Sequence, residues 1–285
     1  MKRIKLSKIK NEVKKAVQDA NFILGEDVKE VIKNSIEKEE SLAGKDALTQ
    51  IIENVKVAFQ EKLGLCQDTG IAVFFVEMGE DVRFIKDNEL KSIREAITSG
   101  MIEGYKEGYL RKSLAEDPLR RKNTGDNSPA FIHWEIVPGD KFKITFIAKG
   151  GGAENMSAIR MFAPAAGLEG VENFVVETVS EAGSNPCPPV IVGVGIGGNF
   201  ETSALLAKKA LLRRPVGSHN PDPFYKDMEE RLLKKVNNLG IGPLGLGGRI
   251  TALAVHVESY PCHIASLPCA VNIECHSHRV VELEF

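Results

Sequence analysis

The apolar residues of this chain change their spacing once, near Leu65, and that change restricts the fold more than any other feature. Before it the spacing is helical. Val28, Val31, Ile32 and Ile36 share one face, and Leu48, Ile51, Ile52, Val55 and Phe59 share another. Gly25 and Gly44 stand where those helices should stop. After Leu65, runs suited to strands dominate. Residues 71–78 form a short apolar stretch, and 190–196, 251–257 and 278–285 read as further strands. Residues 130–137 and 142–148 read as a hairpin across Pro138-Gly139-Asp140-Lys141, because Phe142, Ile144 and Phe146 alternate with Lys143 and Thr145. Helices are predicted over 88–108 and 201–212. A helical segment of about residues 1–62, followed by a mixed β-sheet with surrounding helices, predicts a single α+β domain over 1–285.

Charge and composition exclude several functions. Lys and Arg total 37 against 39 Asp and Glu, so the basic excess that nucleic-acid binding needs is absent. No apolar run is long enough for a transmembrane helix. The basic start lacks the apolar core of a signal peptide. These features predict a cytoplasmic protein. The five cysteines, at 66, 187, 262, 269 and 275, are odd in number and widely spaced. That argues against a disulfide framework and leaves packing, metal binding or catalysis. No C-x-x-C pair suggests a zinc ribbon or a thioredoxin-like motif.

Three glycine-rich segments interrupt the strand region. Lys149-Gly150-Gly151-Gly152-Ala153-Glu154-Asn155 follows a predicted strand and reads either as a flexible turn or as a nest of N–H groups for an anion. Gly193-Val194-Gly195-Ile196-Gly197-Gly198 imitates a dinucleotide fingerprint, but its spacing differs and the acidic residue expected about 20 positions later is missing. Glycine used for strand–helix packing is the better account. Residues 240–248 carry five glycines and no charge, which implies tight turns. Three cysteines sit in comparable company: Cys66 opens Cys66-Gln67-Asp68-Thr69-Gly70, Cys187 lies in Asn185-Pro186-Cys187-Pro188-Pro189, and Cys275 lies in Asn272-Ile273-Glu274-Cys275-His276. A stiffly held loop thiol is what a metal or cluster ligand requires.

These segments, in this order and at these distances, resemble the α subunit of class I iron–sulfur fumarate hydratases and of the related L-tartrate dehydratases. The resemblance runs from roughly Lys45 onward. It implies a [4Fe–4S] cluster held by Cys66, Cys187 and Cys275, with one iron left open to act as a Lewis acid. It implies that Asp68 and His263 handle protons, and that Gln67, Arg111, Gly151 and Gly152 bind the dicarboxylate, fumarate or malate. Arg111 suits a carboxylate because its planar fork binds two oxygens at once. Cys262 and Cys269 match no ligand and are read as packing cysteines. The family's other half, which supplies further arginine and lysine, has no counterpart before Phe285. A separate β subunit and a heterotetramer are therefore expected. Fumarate hydratase is the first reading, L(+)-tartrate dehydratase its close alternative, and a non-catalytic anion-binding module the distant one.

Overall fold

A computed structural model describes residues 2–285. In chain order the elements are β1 (Lys2–Lys5), α1 (Leu6–Phe22), α2 (Glu26–Lys38), α3 (Leu42–Glu61), β2 (Ile71–Gly79), β3 (Val82–Ile85), α4 (Ile93–Glu107), β4 (Phe131–Val137), β5 (Phe142–Lys149), α5 (Gly151–Glu154), β6 (Ala158–Phe162), α6 (Gly167–Ala182), β7 (Val190–Gly197), α7 (Phe200–Ala210), α8 (Pro223–Asn237), β8 (Ala252–Tyr260), β9 (Leu267–Glu274) and β10 (Val280–Glu284). The α+β class and the helical start are as expected. The chain folds as two compact units interleaved in sequence. Unit 1 takes residues up to Leu24, Val55–Gly151 and Arg279–Phe285; unit 2 takes Gly25–Asn54 and Gly152–His278.

Unit 1 is built on a four-stranded sheet in the order β10-β5-β2-β4. β2 is apolar at almost every position because it lies inside the sheet, paired antiparallel with β5 and parallel with β4. The predicted hairpin therefore does not form. Both of its arms are strands, but β2 lies between them, and the Gly139 turn instead serves the end of β2 by accepting from Asp81 N–H. Local alternation reports a half-buried strand and says nothing about its partner. α1 buries Ile9, Val13, Val17 and Ala20 and packs on α4. The approach is close because α4 offers glycine there. A Cβ at Gly100 would fall 2.4 Å from the Lys10 carbonyl oxygen, and one at Gly104 2.9 Å from that of Lys14. Lys10–Glu103 and Lys14–Glu107 ion pairs flank the same contact.

Unit 2 holds a second four-stranded sheet, β6-β9-β7-β8. Val175, Val179, Val192, Val194, Leu232, Val255, Val271 and Ile273 form part of its core. The segment that imitates a dinucleotide fingerprint is the end of β7, and its glycines admit α7. A Cβ at Gly193 would sit 2.1 Å from the Ala207 oxygen, and one at Gly195 2.1 Å from the Ser203 oxygen. α7 is capped at its start by the Asn199 side chain, which accepts from Thr202 N–H. No described helix is long and apolar enough to cross a membrane.

Candidate active site

In unit 1 the strand register gathers the polar residues. Ile71, the first residue of β2, pairs with Lys149, the last of β5. The loop before β2 and the glycine turn after β5 therefore leave the sheet at the same end. Gly70 makes this possible: its φ is +72°, and a Cβ there would lie 2.4 Å from the Lys149 oxygen. Asp68 and Gly151 meet as a result. Asp68 Oδ2 accepts from Gly151 N–H at 2.6 Å, and Oδ1 accepts from Gly70 N–H at 3.0 Å. Ser113 Oγ stands 3.5 Å from the same Oδ1.

The loop 65–70 is held from several sides. Leu65 N–H donates to the Asn21 oxygen at 2.7 Å. Tyr105, wholly buried on α4, donates its hydroxyl to the Thr69 oxygen at 2.9 Å and reaches the Gly70 oxygen at 3.3 Å. Burial pushes the Tyr105 phenol well above its usual range, which keeps it a donor. Asn127 Nδ2 also donates to the Gly70 oxygen, while its Oδ1 accepts from Ser113 N–H. Thr69 Oγ1 donates to the Arg111 oxygen at 2.8 Å, which fixes the main chain at Arg111 beside the loop. The Arg111 side chain is exposed and lines two adjoining cavities. One, of about 950 Å³, also touches Cys66 and Gln67; the other, of about 330 Å³, touches Asp68, Ser113, Asn123 and Gly151. Five of the residues singled out by sequence, Cys66, Gln67, Asp68, Arg111 and Gly151, thus share one end of unit 1.

Unit 2 brings together two more. Cys187 precedes β7 and Cys275 follows β9; because β7 and β9 are antiparallel, both stand at one end of the sheet. His276 Nδ1 lies 2.9 Å from the Cys187 oxygen and ties the two segments together. Cys187 is exposed, with φ +54° and prolines on both sides. Cys275 is buried, with Sγ 2.9 Å from Ser277 Oγ. The uncharged 240–248 segment is packed onto the Cys187 loop: Leu244 N–H donates to the Pro188 oxygen, and a Cβ at Gly245 would sit 2.3 Å from Ser184 Cβ. A Cβ at Gly152 would sit 3.0 Å from the Asn185 oxygen, in the same loop.

His263 is placed elsewhere. Its turn, 261–266, joins the end of β8 to the start of β9, at the opposite end of the sheet from Cys187 and Cys275. Eight-residue β9 separates the two ends, roughly 23 Å at ordinary strand rise. The ring is exposed and bonded only within its turn, where Nδ1 accepts from Ala265 N–H. His263 and Cys275 stand at opposite ends of the sheet because β9 carries the chain its full length between them. Cys262 departs from the packing reading: it is exposed in the same turn, its Sγ donating to the Ser266 oxygen, so it packs nothing. Cys269 is fully buried in the unit 2 core, and burial pushes its thiol up to about 12. That thiol is inert. Among the described residues, no three His, Cys, Asp or Glu side chains are grouped to hold a single metal ion.

Sequence reasoning did not find Tyr105, Asn127, Asn21 or Arg279, all of which support the Asp68 loop. Asn127 alone had a signal, since it closes the Asn123-Thr124-Gly125-Asp126-Asn127 turn. The family model for fumarate hydratase (Fumerase) matches residues 10–284. A protein of Methanocaldococcus jannaschii named "Putative L(+)-tartrate dehydratase subunit alpha" is 43% identical over 278 residues, which is 95% of each chain. The L(+)-tartrate dehydratase subunit alpha of Escherichia coli O157:H7 is 38% identical, and that of Escherichia coli strain K12 37%. Each match covers 89% of this chain and 83% of the relative.

Proposed function

The chain belongs to the fumarate hydratase (Fumerase) family, and from that premise we propose that it is the alpha subunit of an iron–sulfur hydro-lyase interconverting fumarate and (S)-malate. The observation that carries this reading is the clasp in unit 1. Asp68 is held by Gly151 N–H and opens onto the same cavity as the exposed Arg111 guanidinium. An acceptor and a bidentate cation around one small cavity suit a dicarboxylate that must be oriented before water adds.

In this reading the Arg111 fork grips one substrate carboxylate, with Gln67 and the main chain at Gly151 and Gly152 beside it. Asp68 takes part in proton transfer at its carboxylate, fixed there by the N–H groups of Gly70 and Gly151. His263 is proposed as a second proton-handling residue. Its exposed position at the far end of its own sheet supports a site completed by another chain. The donor chemistry suits a [4Fe–4S] cluster: Cys66, Cys187 and Cys275 are thiols outside any disulfide on tethered loops, and two of them share one sheet end. Those three would hold the cluster, which when bound supplies an open iron that polarises hydroxyl and carboxylate oxygens. The relatives' designation as alpha subunits supports a separate β subunit, and we propose a heterotetramer working in the cytoplasm. A second reading, dehydration of L(+)-tartrate, is favoured by the names of those relatives.

Anaerobic purification with the companion subunit, followed by parallel assay on fumarate and L(+)-tartrate, tests both readings. The expected preparation is brown, absorbs near ~400 nm as thiolate-bound clusters do, and hydrates fumarate. Turnover of tartrate alone would move the assignment to the second reading. A colourless, iron-free protein without either activity would overturn both.

A further inference from the structure

Arg279 is a fully buried guanidinium that the proposed chemistry does not use. Its relative exposure is 1%. A charge so far from water is costly unless it is paired, and an arginine kept there invites a functional account. The main chain places it deliberately. Arg279 leads into β10, and its oxygen accepts from Ala148 N–H, two residues before Gly150. From there the side chain turns under the Asp68 loop. Nη1 donates to the Asp68 main-chain oxygen at 2.6 Å and to Asn21 Oδ1 at 3.2 Å. Nε and Nη2 have no hydrogen-bond partner among the described residues. Nη2 faces the glycine turn: it and Asp68 Oδ2 are both 3.4 Å from the point a Cβ would occupy at Gly150.

One planar cation therefore bonds to the loop that carries Cys66 and Asp68 and faces the turn that carries Gly151. Asn21 joins the same arrangement twice, through its main-chain oxygen to Leu65 and its side chain to Arg279. The other supports of the loop are neutral, Tyr105, Asn127 and Thr69. None of them also faces Gly150. Arg279 is the residue placed to set the Asp68 carboxylate and the Gly150–Gly151 main chain relative to each other.

We propose that Arg279 is a positioning residue: its guanidinium keys the 65–70 loop to the Gly150 turn, and so holds Asp68 where it works. The role in turnover rests on the hydro-lyase reading; the tether itself does not. The test uses Arg279→Met, which keeps the volume and removes the charge, and Arg279→Lys, which keeps the charge and loses the planar fork. Amide hydrogen exchange of the full-length chain reads the tether without any assay. In Arg279→Met, exchange in 65–70 should rise about tenfold while the core strands β5 and β7 stay protected. In the cluster-loaded enzyme with its companion subunit, kcat should fall ~10–100-fold on a displaced Asp68, with KM changed less than about threefold. Arg279→Lys, able to reach the Asp68 oxygen with one ammonium, should restore most of the exchange protection and only part of kcat. If Arg279→Met does not fold, Arg279→Gln, which also removes the charge, reads the same two quantities against wild type. Unchanged exchange in 65–70, or wild-type kcat in both variants, would overturn the proposal. A wild-type preparation that turns over neither substrate would sink the hydro-lyase reading, while the exchange data still decide the tether.

Discussion

Two polar loops of this chain look equally promising as sequence and are built on different principles. The loop 65–70 in unit 1 hands its carbonyl oxygens to buried donors: Tyr105 takes those of Thr69 and Gly70, and Arg279 takes that of Asp68. The turn 261–266 in unit 2 bonds mostly to itself, Ser266 N–H and Oγ to the His263 oxygen and Ala265 N–H to the His263 ring, with the Pro261 oxygen accepting from Gly198 N–H just after β7. Its neighbour Ile264 is 92% exposed. The first loop is finished by its own unit, with geometry set before any ligand arrives. The second has exposed reactive groups and an exposed aliphatic side chain, held mainly by bonds within the turn. Preorganisation of a site costs buried polar machinery, and only one of the two loops has it.

The contrast is tested most severely by cysteine. Cys66→Ser in the scaffolded loop should abolish most iron binding and with it turnover, whereas Cys262→Ser in the free turn should leave iron content at the wild-type level. Equal iron loss from both would erase the distinction. Next in size is His263→Asn. Turnover of the assembled enzyme should fall roughly 10²–10⁴-fold, the range of an acid–base group, with iron and melting temperature unchanged. Full activity would make the turn mere surface.

The strand leading into that turn supplies a control. His256 on β8 is fully buried, with Nε2 accepting from Gly217 N–H, and burial lowers its pKa from 6.5 to about 4. Because the folded value lies below the unfolded one, the unfolded chain binds the extra proton between them. Its contribution to stability should be constant above pH 6.5 and fall by about 3 kcal/mol as pH falls toward 4. Denaturant titrations of wild type and His256→Gln across that range would show it, and identical slopes would refute it.

Smaller effects bear on the clamp and the scaffold. Arg111→Lys keeps the charge but loses the fork, and kcat/KM should drop by ~1–3 kcal/mol in transition-state binding; an unchanged value would leave Arg111 a surface charge. Tyr105→Phe strips a buried donor from two carbonyls and should destabilise by about 1–2 kcal/mol in urea titration. Ser266→Ala, made in the free turn, should stay within about 0.5 kcal/mol. A larger loss from the second than from the first would invert the comparison.

Much of the scaffolded loop was legible in the sequence, from its residue types and from the family resemblance that they carry. Cys66, Gln67, Asp68 and the triple glycine were visible because their chemistry is carried by residues adjacent in sequence. The glycines of β7 were legible too: their spacing argued for packing, and α7 lies on them. What stayed hidden was long-range. The insertion of β2 between β4 and β5 cannot be read from either arm of the supposed hairpin, since alternation encodes a face and not a neighbour. Tyr105, Asn21 and Arg279 are 36, 47 and 211 residues from Thr69 or Asp68 along the chain, and no local pattern marks them. The separation of His263 from Cys275 was hidden for the opposite reason. They lie only twelve positions apart, but the chain between them includes a straight strand, which carries it away at the full rise of extended backbone.

The interleaving of the two units has a consequence for synthesis. Unit 2 has all of its residues once His278 has been made, while unit 1 still lacks Arg279–Phe285. Domains tend to fold as their segments emerge, so the sheet of unit 1 must wait with one flank of β5 open until β10 arrives to pair with it. The guanidinium that fixes the Asp68 carbonyl heads that late segment. On a growing chain the Cys66 loop is thus the last of the thiol-bearing loops to be locked. A nascent polypeptide stalled before Arg279 would present an unfinished strand edge and a loosely held thiol together, which makes that interval the one in which the chain most needs a chaperone's cover.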